Sequence, residues 1–208
     1  LVVNLVEFDC TTFVETCMAL TLTTISDELT FERFKENLQL IRYRQGIIDG
    51  YSSRLHYMTD WISDGESKRL FKNISKNLGG TPKKKQINFM STHPDSYFML
   101  RNNKTEIDKI ADIETHILSE NYVVIPKEKI LGVGNAVLNG DITRFATEID
   151  GLDESHVGLA YKENNVLKMI HASSTSRKVV IENRSIDMYC KAIRSCTGIT
   201  ILRMVDTM

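Results

Sequence analysis

Residues 155–174 read SHVGLAYKENNVLKMIHASS, and this stretch decides the expected fold. The segments 156–161 and 167–172 are typical of short β-strands. Between them stand Asn164 and Asn165, and asparagine tolerates the positive φ angles that a two-residue hairpin turn requires. The stretch therefore predicts an antiparallel β-hairpin in the C-terminal half of the chain.

This hairpin is expected to bring two histidines together. If the two asparagines form the loop, Glu163 pairs with Val166, and Gly158 lies opposite His171. His156 and His171 then project from the same face as diagonal neighbours, roughly 7–8 Å apart by backbone geometry. Since a register shift of one residue would place them on opposite faces, the pairing of the histidines depends on the length of the loop.

The rest of the chain divides into a helical half and a β half. The spacing of apolar residues predicts helices at residues 9–22, 30–43, about 66–78, 94–101, 105–119 and 186–194. Short apolar runs predict strands at residues 86–90, 122–125, 142–149, 178–182 and 198–205. This is the α+β pattern, and 208 residues favour a single domain, 1–208, that carries an insertion.

Composition and charge exclude several classes of protein. Hydrophobic residues at 42% and charged residues at 25% are usual for a folded globular domain and argue against disorder. A net charge of −1 provides no electrostatic footprint for nucleic acid, and the basic run Lys83-Lys84-Lys85 is interpreted as a solvated loop. No segment approaches the roughly 18 apolar residues that span a bilayer. The start at Leu1 shows no signal-peptide pattern, so we expect the chain to begin at a cut.

The cysteines and histidines do not predict a metal site. Four cysteines are too few for a disulfide scaffold, and whether Cys190 and Cys196 pair stays open. No CxxC pair is present and the five histidines are scattered, so we expect no structural zinc. His93 and His116 are interpreted as structural.

Cys10 is the first candidate for chemistry. It stands at the start of the predicted helix 9–22, with Asp9 as one N-cap and Thr12 with Glu15 as an alternative capping box. Main-chain N–H groups and the helix dipole at this position favour the thiolate, which is the nucleophilic form. Cys17 lies on the apolar face of the helix and is interpreted as a small buried hydrophobe.

A cysteine nucleophile needs a base, and the base needs a partner that orients it. The predicted hairpin supplies His156 as the general base and His171 as the residue that fixes its tautomer. Asp141 and Asp153 remain alternatives for this third role. The sequence therefore indicates a Cys-His-His arrangement.

With these residues the sequence resembles the NlpC-like cysteine amidohydrolases, a papain-related superfamily. The similar segments are 8–15 (FDCTTFVE), 138–142 (LNGDI), 155–160 (SHVGLA) and 169–174 (MIHASS). The chain is more similar to the N-acetylmuramoyl-L-alanine amidase-like branch found in Gram-negative bacteria, including Bacteroides-type organisms. The marks of this branch are 50–57 (GYSSRLHY) with 60–61 (DW), 87–94 (INFMSTHP) and 151–153 (GLD).

The resemblance implies both a fold and a reaction. The fold is a papain-like (NlpC-type) core, with a catalytic helix packed on an antiparallel, β-barrel-like sheet and a helical insertion at about residues 26–86. The reaction is hydrolysis of the amide between N-acetylmuramic acid and L-alanine in peptidoglycan fragments (muropeptides), without metal or cofactor. By this likeness Cys10 attacks the carbonyl, His156 transfers the proton and His171 orients His156. The implied location is the periplasm or cell envelope.

Family members also carry a Gly- and Tyr-containing stretch upstream of the cysteine, which helps to form the oxyanion site. This chain starts nine residues before Cys10 and does not contain that stretch. We therefore expect an N-terminal part to be missing, so that the oxyanion hole needs the Cys10 N–H and another donor. A preceding segment or a second chain would be the partner that supplies it.

The resemblance also implies substrate contacts in the segment 51–61. Arg54 would pair with a carboxylate or a sugar oxygen. Tyr57 or Trp61 would stack on a sugar ring, although both fit a core position equally well. The other expected contacts are Tyr51, Ser53 and His56.

Two other functions fit parts of the same pattern. The first is an NlpC-type peptidase that cuts the bond between D-glutamate and the diamino acid. The second is a peptidoglycan-binding module that keeps the fold without catalysis. The presence of Cys10, His156 and His171 favours an enzyme over the binding module.

Overall fold

The structure, a computed structural model, describes residues 1–117 and 122–205. The strands in these ranges are β1 (Phe71–Asn73), β2 (Thr81–Lys83), β3 (Tyr122–Pro126), β4 (Ile142–Thr147), β5 (Glu154–Glu163), β6 (Val166–Ser173), β7 (Lys178–Ile181) and β8 (Cys196–Met204). The α-helices are α1 (Cys10–Thr24), α2 (Phe31–Arg42), α3 (Met58–Ser67), α4 (Phe89–Thr92), α5 (Lys104–Ile117), α6 (Ile130–Val133) and α7 (Ile186–Ala192). This mixture confirms the predicted α+β class.

The strands of the described ranges form one antiparallel sheet. Its order is β2-β3-β8-β4-β5-β6-β7, and β1 also pairs with β8. The outer strands β2 and β7 do not pair with each other over the described residues, so the sheet is open. The barrel-like closure implied by the resemblance is therefore wrong.

Helices cover both faces of this sheet. Along β4, Ile142 packs with α1, α2 and α3, whereas Phe145 packs with α6 and α7. Because side chains alternate along a strand, these two residues, three positions apart, point to opposite faces. A separate small core joins α4, α5 and Tyr57 through Met90 and Ile110.

The hairpin of β5 and β6 has the predicted geometry. Asn164 and Asn165 have φ angles of 50° and 65°, and Glu163 pairs with Val166. This confirms the two-residue loop and the expected register. A Cβ added to Gly158 would lie 3.1 Å from the Cβ of His171, which shows how closely the two positions face each other.

The helix predicted at about residues 66–78 is wrong. The helix of this region is α3, after which the chain turns at Arg69 (φ 58°) and enters β1. The start of α3 is held by Asp153, whose carboxylate accepts a hydrogen bond from the Thr59 N–H at 2.7 Å. Since this partner is distant in sequence, the local pattern does not reveal it. The predicted helical insertion, about residues 26–86, thus also contributes β1 and β2 to the sheet.

The strand predicted at residues 86–90 is also wrong. Ile87 forms only an isolated bridge with Gly151, whose carbonyl accepts hydrogen bonds from the N–H groups of Asn88 and Phe89 at 3.0 Å. The chain then enters α4. Of the helix predicted at 94–101, a short 3-10 turn at Pro94–Ser96 forms, and Tyr97 is already extended.

Further points concern the basic run, the cysteines, the membrane and the end of the helix predicted at 105–119. Lys83 ends β2 rather than lying in a loop, and Lys85 donates hydrogen bonds to the carbonyls of Thr147, which ends β4, and of Ile149. Cys190 and Cys196 form a disulfide, with their Cα atoms 5.6 Å apart. None of the described helices has the length and apolarity that crossing a bilayer requires. Residues 118 and 119 of the predicted helix 105–119 lie outside the described residues.

Candidate active site

Cys10 is the first residue of α1, and the local sequence places it there. The Asp9 carboxylate accepts a hydrogen bond from the Thr12 N–H at 2.7 Å, and the Thr12 hydroxyl accepts one from the Asp9 N–H at 3.0 Å. This reciprocal capping box identifies Asp9 as the N-cap and excludes the alternative start at Thr12. The main-chain N–H of Cys10, as the first of the helix, has no partner within the helix.

Cys10 and His156 line the same cleft, whose volume is about 710 Å³. The cleft lies between the segment that precedes α1 and the ends of β5, β6 and β7. Its other lining residues are Val6, Glu7, Phe8, Asp9, Ser155, Ala172, Ser173, Ser174, Arg177, Lys178 and Val179. The cleft is therefore open to a substrate beside the cysteine and the histidine.

His156 and His171 form a direct hydrogen bond, as the register of the hairpin predicts. The Nε2 atom of His156 and the Nδ1 atom of His171 are 2.7 Å apart, and the two rings are nearly perpendicular. Because Nε2 of His156 is used in this contact, Nδ1 is its remaining ring nitrogen. His171 is buried, whereas His156 keeps some exposed surface toward the cleft.

Burial opposes the charged forms of both the thiol and the imidazole. It raises the pKa of the Cys10 thiol, an effect opposed by hydrogen bonding from the main chain at Val157. Burial, together with the neighbouring His171, lowers the pKa of His156 to about 4. Burial thus acts against the thiolate that the helix N-terminus would favour, and the thiolate at Cys10 stays a prediction.

Asp141 and Asp153, the alternatives for the third role, are engaged elsewhere. The Asp141 carboxylate accepts hydrogen bonds from Arg203 at 2.6 and 2.8 Å. The two oxygens of Asp153 accept hydrogen bonds from the N–H groups of Thr59 and Glu154. His171 is therefore the residue that contacts His156.

Three residues near the histidines were not found by sequence reasoning. Glu182 places Oε2 at 3.7 Å from Nε2 of His171 and forms an ion pair with Arg184. The ring of Tyr189 packs against both histidines, with centroids 5.8 Å from His156 and 5.6 Å from His171. Only the spacing along the predicted strand 178–182 could have indicated Glu182, and that spacing does not reveal the register with β6.

Tyr57 and Trp61 lie in the core, which contradicts their expected stacking on a sugar. Tyr57 is 2% exposed and donates a hydrogen bond to the Glu114 carboxylate at 2.7 Å. Trp61 is 4% exposed and stacks on Phe71. The buried guanidinium of Arg144 lies over its ring. Both aromatic residues therefore support the fold in this structure.

Arg54 is also committed to an internal contact. Its Nη2 atom lies 3.1 Å from Oε2 of Glu15, a carboxylate that is completely buried in α1. His56 packs against the ring of Tyr51 and contacts its carbonyl, and Ser53 donates a hydrogen bond to the carbonyl of Gly50. None of the residues expected to bind substrate lines the cleft beside Cys10, as far as the described residues show.

Comparison with known proteins assigns the family. A model of the AmiA-like family, described as N-acetylmuramoyl-L-alanine amidase-like, matches residues 1–199. The chain belongs to this family. No curated protein matches the chain significantly.

Solved structures related to this AmiA-like chain share its fold. Two crystal structures of an N-acetylmuramoyl-L-alanine amidase from Bacteroides uniformis are 37% identical, with TM-scores of 0.94 and 0.95. Each similarity covers 99% of this chain and 87% or 88% of the amidase. A Bacteroides fragilis protein, provisionally described as a xylanase, is 38% identical with a TM-score of 0.93, over 98% of this chain and 90% of that one.

Proposed function

We propose that this protein is a peptidoglycan amidase that hydrolyses the amide between N-acetylmuramic acid and L-alanine through a thioester on Cys10. Membership of the AmiA-like family and the likeness to the Bacteroides uniformis amidase support the amidase activity. One observation supports the cysteine mechanism above all. The His156–His171 hydrogen bond of 2.7 Å lies at the cleft that Cys10 lines.

In this mechanism His156 acts first as base and then as acid. Its Nδ1 atom accepts the thiol proton while the Cys10 sulfur forms a bond to the amide carbonyl carbon. The same proton then passes to the amine of L-alanine as the C–N bond breaks, which leaves a thioester. Water hydrolyses the thioester and restores the thiol, so that no metal or cofactor is required.

The first N–H of α1 serves the oxyanion in this proposal. The main-chain N–H of Cys10 has no partner within the helix and adjoins the reacting sulfur, so it can donate to the negative oxygen of the tetrahedral intermediate. An oxyanion hole of the usual kind would need a further donor beside this N–H. The likeness to NlpC-like, papain-related enzymes is part of the same proposal.

The chemistry of the cleft favours an amidase over a xylanase. A glycoside hydrolase of the usual kind needs two carboxyl groups that flank the scissile bond. Glu7 and Asp9 are the carboxylates of the described cleft lining, and both stand on the segment before Cys10. Since Asp9 is occupied as the N-cap of α1, it is poorly suited to act as an acid or a nucleophile.

The disulfide supports an extracytoplasmic location. Disulfides persist in oxidising compartments such as the bacterial periplasm. The Cys190–Cys196 bond is therefore consistent with the proposed action in the periplasm or cell envelope, where muropeptides are the substrate.

Replacement of the cysteine tests this proposal. We expect Cys10→Ala to lower kcat on muropeptides by at least about a thousandfold, because the nucleophile is removed. Cys17→Ala is the matched control, since Cys17 is a free cysteine of the same helix that lies outside the cleft, and it should retain activity. Turnover that survives Cys10→Ala would exclude the cysteine mechanism.

Mass spectrometry of the products identifies the bond. Release of peptides that begin with L-alanine supports the amidase. Cleavage after D-glutamate would instead identify the peptidase. Binding of muropeptides without any cleavage would identify the binding module.

A further inference from the structure

The second nitrogen of His171 faces a carboxylate. Nδ1 of His171 contacts His156, whereas Nε2 is buried and has no hydrogen-bond partner among the described residues. The carboxylate of Glu182 approaches this atom, with Oε2 at a distance of 3.7 Å. This is slightly longer than a hydrogen bond, but it is close enough for the charge to act on the ring.

Glu182 is held as an ionised acceptor. The Arg184 side chain donates to its two oxygens at 3.0 and 3.1 Å, and the Arg184 main-chain N–H donates at 3.1 Å. These contacts lower the pKa of Glu182 to about 2. At neutral pH the carboxylate can therefore accept hydrogen bonds but cannot donate one.

A hydrogen-bond acceptor beside Nε2 of His171 determines which ring nitrogen of each histidine carries the proton. A neutral imidazole has one N–H and one lone pair, so a proton on Nε2 of His171 leaves a lone pair on Nδ1. That lone pair must accept a proton held by Nε2 of His156, which leaves the lone pair of His156 on Nδ1. In the opposite arrangement His171 carries its proton on Nδ1 and donates it to Nε2 of His156. The lone pair of His171 would then face the carboxylate, and Nδ1 of His156 would carry a proton and could not act as a base.

We propose that Glu182 is a positioning residue, which orients the His171–His156 hydrogen bond so that Nδ1 of His156 is the basic nitrogen. Glu182 does not touch the substrate or the cleft and acts only through His171. The inference rests on the proposed function, because it assigns the fourth member of the chain that begins at Cys10.

The surroundings of the two histidines contain few other ionisable groups. Cys10 approaches from α1, Tyr189 packs on the rings from α7, and Glu182 and Arg184 follow β7. Arg184 is directed at Glu182 and also lies over the ring of Tyr189. Among these described groups Glu182 is the carboxylate that faces His171.

The tautomers of the wild-type protein give the first test. Long-range proton–nitrogen NMR correlations at pH 7 distinguish a protonated ring nitrogen from one with a lone pair. We expect Nε2 to carry the proton in both His156 and His171. A proton on Nδ1 of either ring would overturn the proposal, whatever the activity of the protein.

Glu182→Gln gives the second test, because the amide has the shape of the carboxylate but can also donate. We expect the Nδ1-protonated form of His171 to appear in the NMR spectrum. We also expect kcat to fall roughly ten- to a hundredfold, as when the outer partner of a functional histidine is removed, with little change in KM. Unchanged tautomers together with an unchanged kcat would overturn the assignment.

Two control variants separate this role from simple stability. Glu163→Gln removes a carboxylate that pairs with Lys168 near the hairpin loop, and it should leave the tautomers and kcat unchanged. Arg184→Gln breaks the same ion pair but keeps the carboxylate beside His171, so His171 should keep its proton on Nε2. If Arg184→Gln shifts the tautomer as Glu182→Gln does, the ion pair rather than the carboxylate is responsible, and the proposal is overturned.

The test remains informative if the proposed activity is wrong. The tautomer measurements need no substrate. The rate at which iodoacetamide alkylates Cys10 provides a second readout of the basic nitrogen, and Glu182→Gln should lower it. Failure of muropeptide cleavage with the expected tautomers would thus contradict only the amidase proposal.

Discussion

Burial opposes the charged form of both Cys10 and His156, since it raises the pKa of the thiol and lowers that of the imidazole. An ion pair of thiolate and imidazolium would have to pay the desolvation cost of two charges beside the sheet. In the proposed mechanism the proton therefore moves from Cys10 to His156 as the sulfur attacks the substrate carbonyl. The proposed role of His156 as general base agrees with its lowered pKa of about 4, because the neutral imidazole is then present at neutral pH.

The pH profile should reflect this charge state. Protonated His156 cannot accept the thiol proton. We therefore expect kcat/KM to have its full value at neutral pH and to fall as the pH drops through about 4. A measurement of kcat/KM from pH 3 to pH 8, at about the ionic strength of a physiological buffer, gives the acid limb. A limb centred near the ordinary histidine pKa of about 6.5 would contradict the burial effect.

At the scale of elements, α7 forms a wall behind the histidines. Tyr189 lies on this short helix and packs against both rings and against Phe145. The helix is fixed to the start of β8 by the Cys190–Cys196 disulfide. A helix of this length gains little stability by itself, so its position depends on packing and on this crosslink.

Removal of the disulfide should therefore weaken both fold and site. For the variant in which Cys190 and Cys196 are both replaced by alanine, the short loop predicts a loss of about 2 kcal/mol in the free energy of unfolding. We also expect a lower kcat, because Tyr189 is held less firmly. Urea denaturation and kinetics measure the two effects, and treatment of the wild type with a thiol reductant should reproduce them. A variant as stable and as active as the wild type would show that the crosslink is dispensable.

The elements that could be predicted from the sequence are those whose structure is determined by residues a few positions away. The two asparagines of the β5–β6 loop and the Asp9–Thr12 cap of α1 both lie within a few residues of the structure that they determine. By contrast, the start of α3 depends on the Asp153 carboxylate, which accepts a hydrogen bond from the Thr59 N–H. Strand β1 has three residues, which is too short for an alternating pattern of side chains to be recognised. Such elements depend on partners distant in the chain, which no local pattern contains.

The same distinction applies to the site. Cys10, His156 and His171 could be predicted because one helix start and one hairpin position them. Glu182 could not, because its approach to His171 depends on the pairing of β6 with β7, in which His171 lies opposite Val180. The sequence could not show whether Trp61 is a core residue or an exposed aromatic residue, because its burial depends on the sheet against which it packs.

At the scale of the whole molecule, one buried carboxylate joins separate parts of the chain. Glu15 of α1 forms an ion pair with Arg42 of α2 at 2.7 Å and another with Arg54 at 3.1 Å. Glu15 has no exposed surface and Arg42 is nearly buried. Helix α1, which begins at Cys10, is thus tied to α2 and to the segment before α3 by charge as well as by apolar packing.

Glu15→Ala should be strongly destabilising. It leaves two guanidinium groups without their shared partner, one of them buried, and such losses cost about 3–5 kcal/mol. Glu36→Ala is the matched control, because its ion pair with Arg33 is exposed and should contribute at most about 1 kcal/mol. Chemical denaturation measures both variants. Equal losses for the two would show that Glu15 is not a structural anchor.

The loop of Asn164 and Asn165 has a consequence for how this protein can vary. Neither asparagine touches the cleft, yet their number determines which side of the strand carries His171. A single inserted residue that shifted the register of β6 against β5 would place His171 on the opposite face of the sheet. The two histidines would then be separated, although both residues would still be present in the sequence. Surface loops usually tolerate insertions well. On the proposed function the length of this loop is as important as the side chains of the site, and a redesign of the protein should keep it.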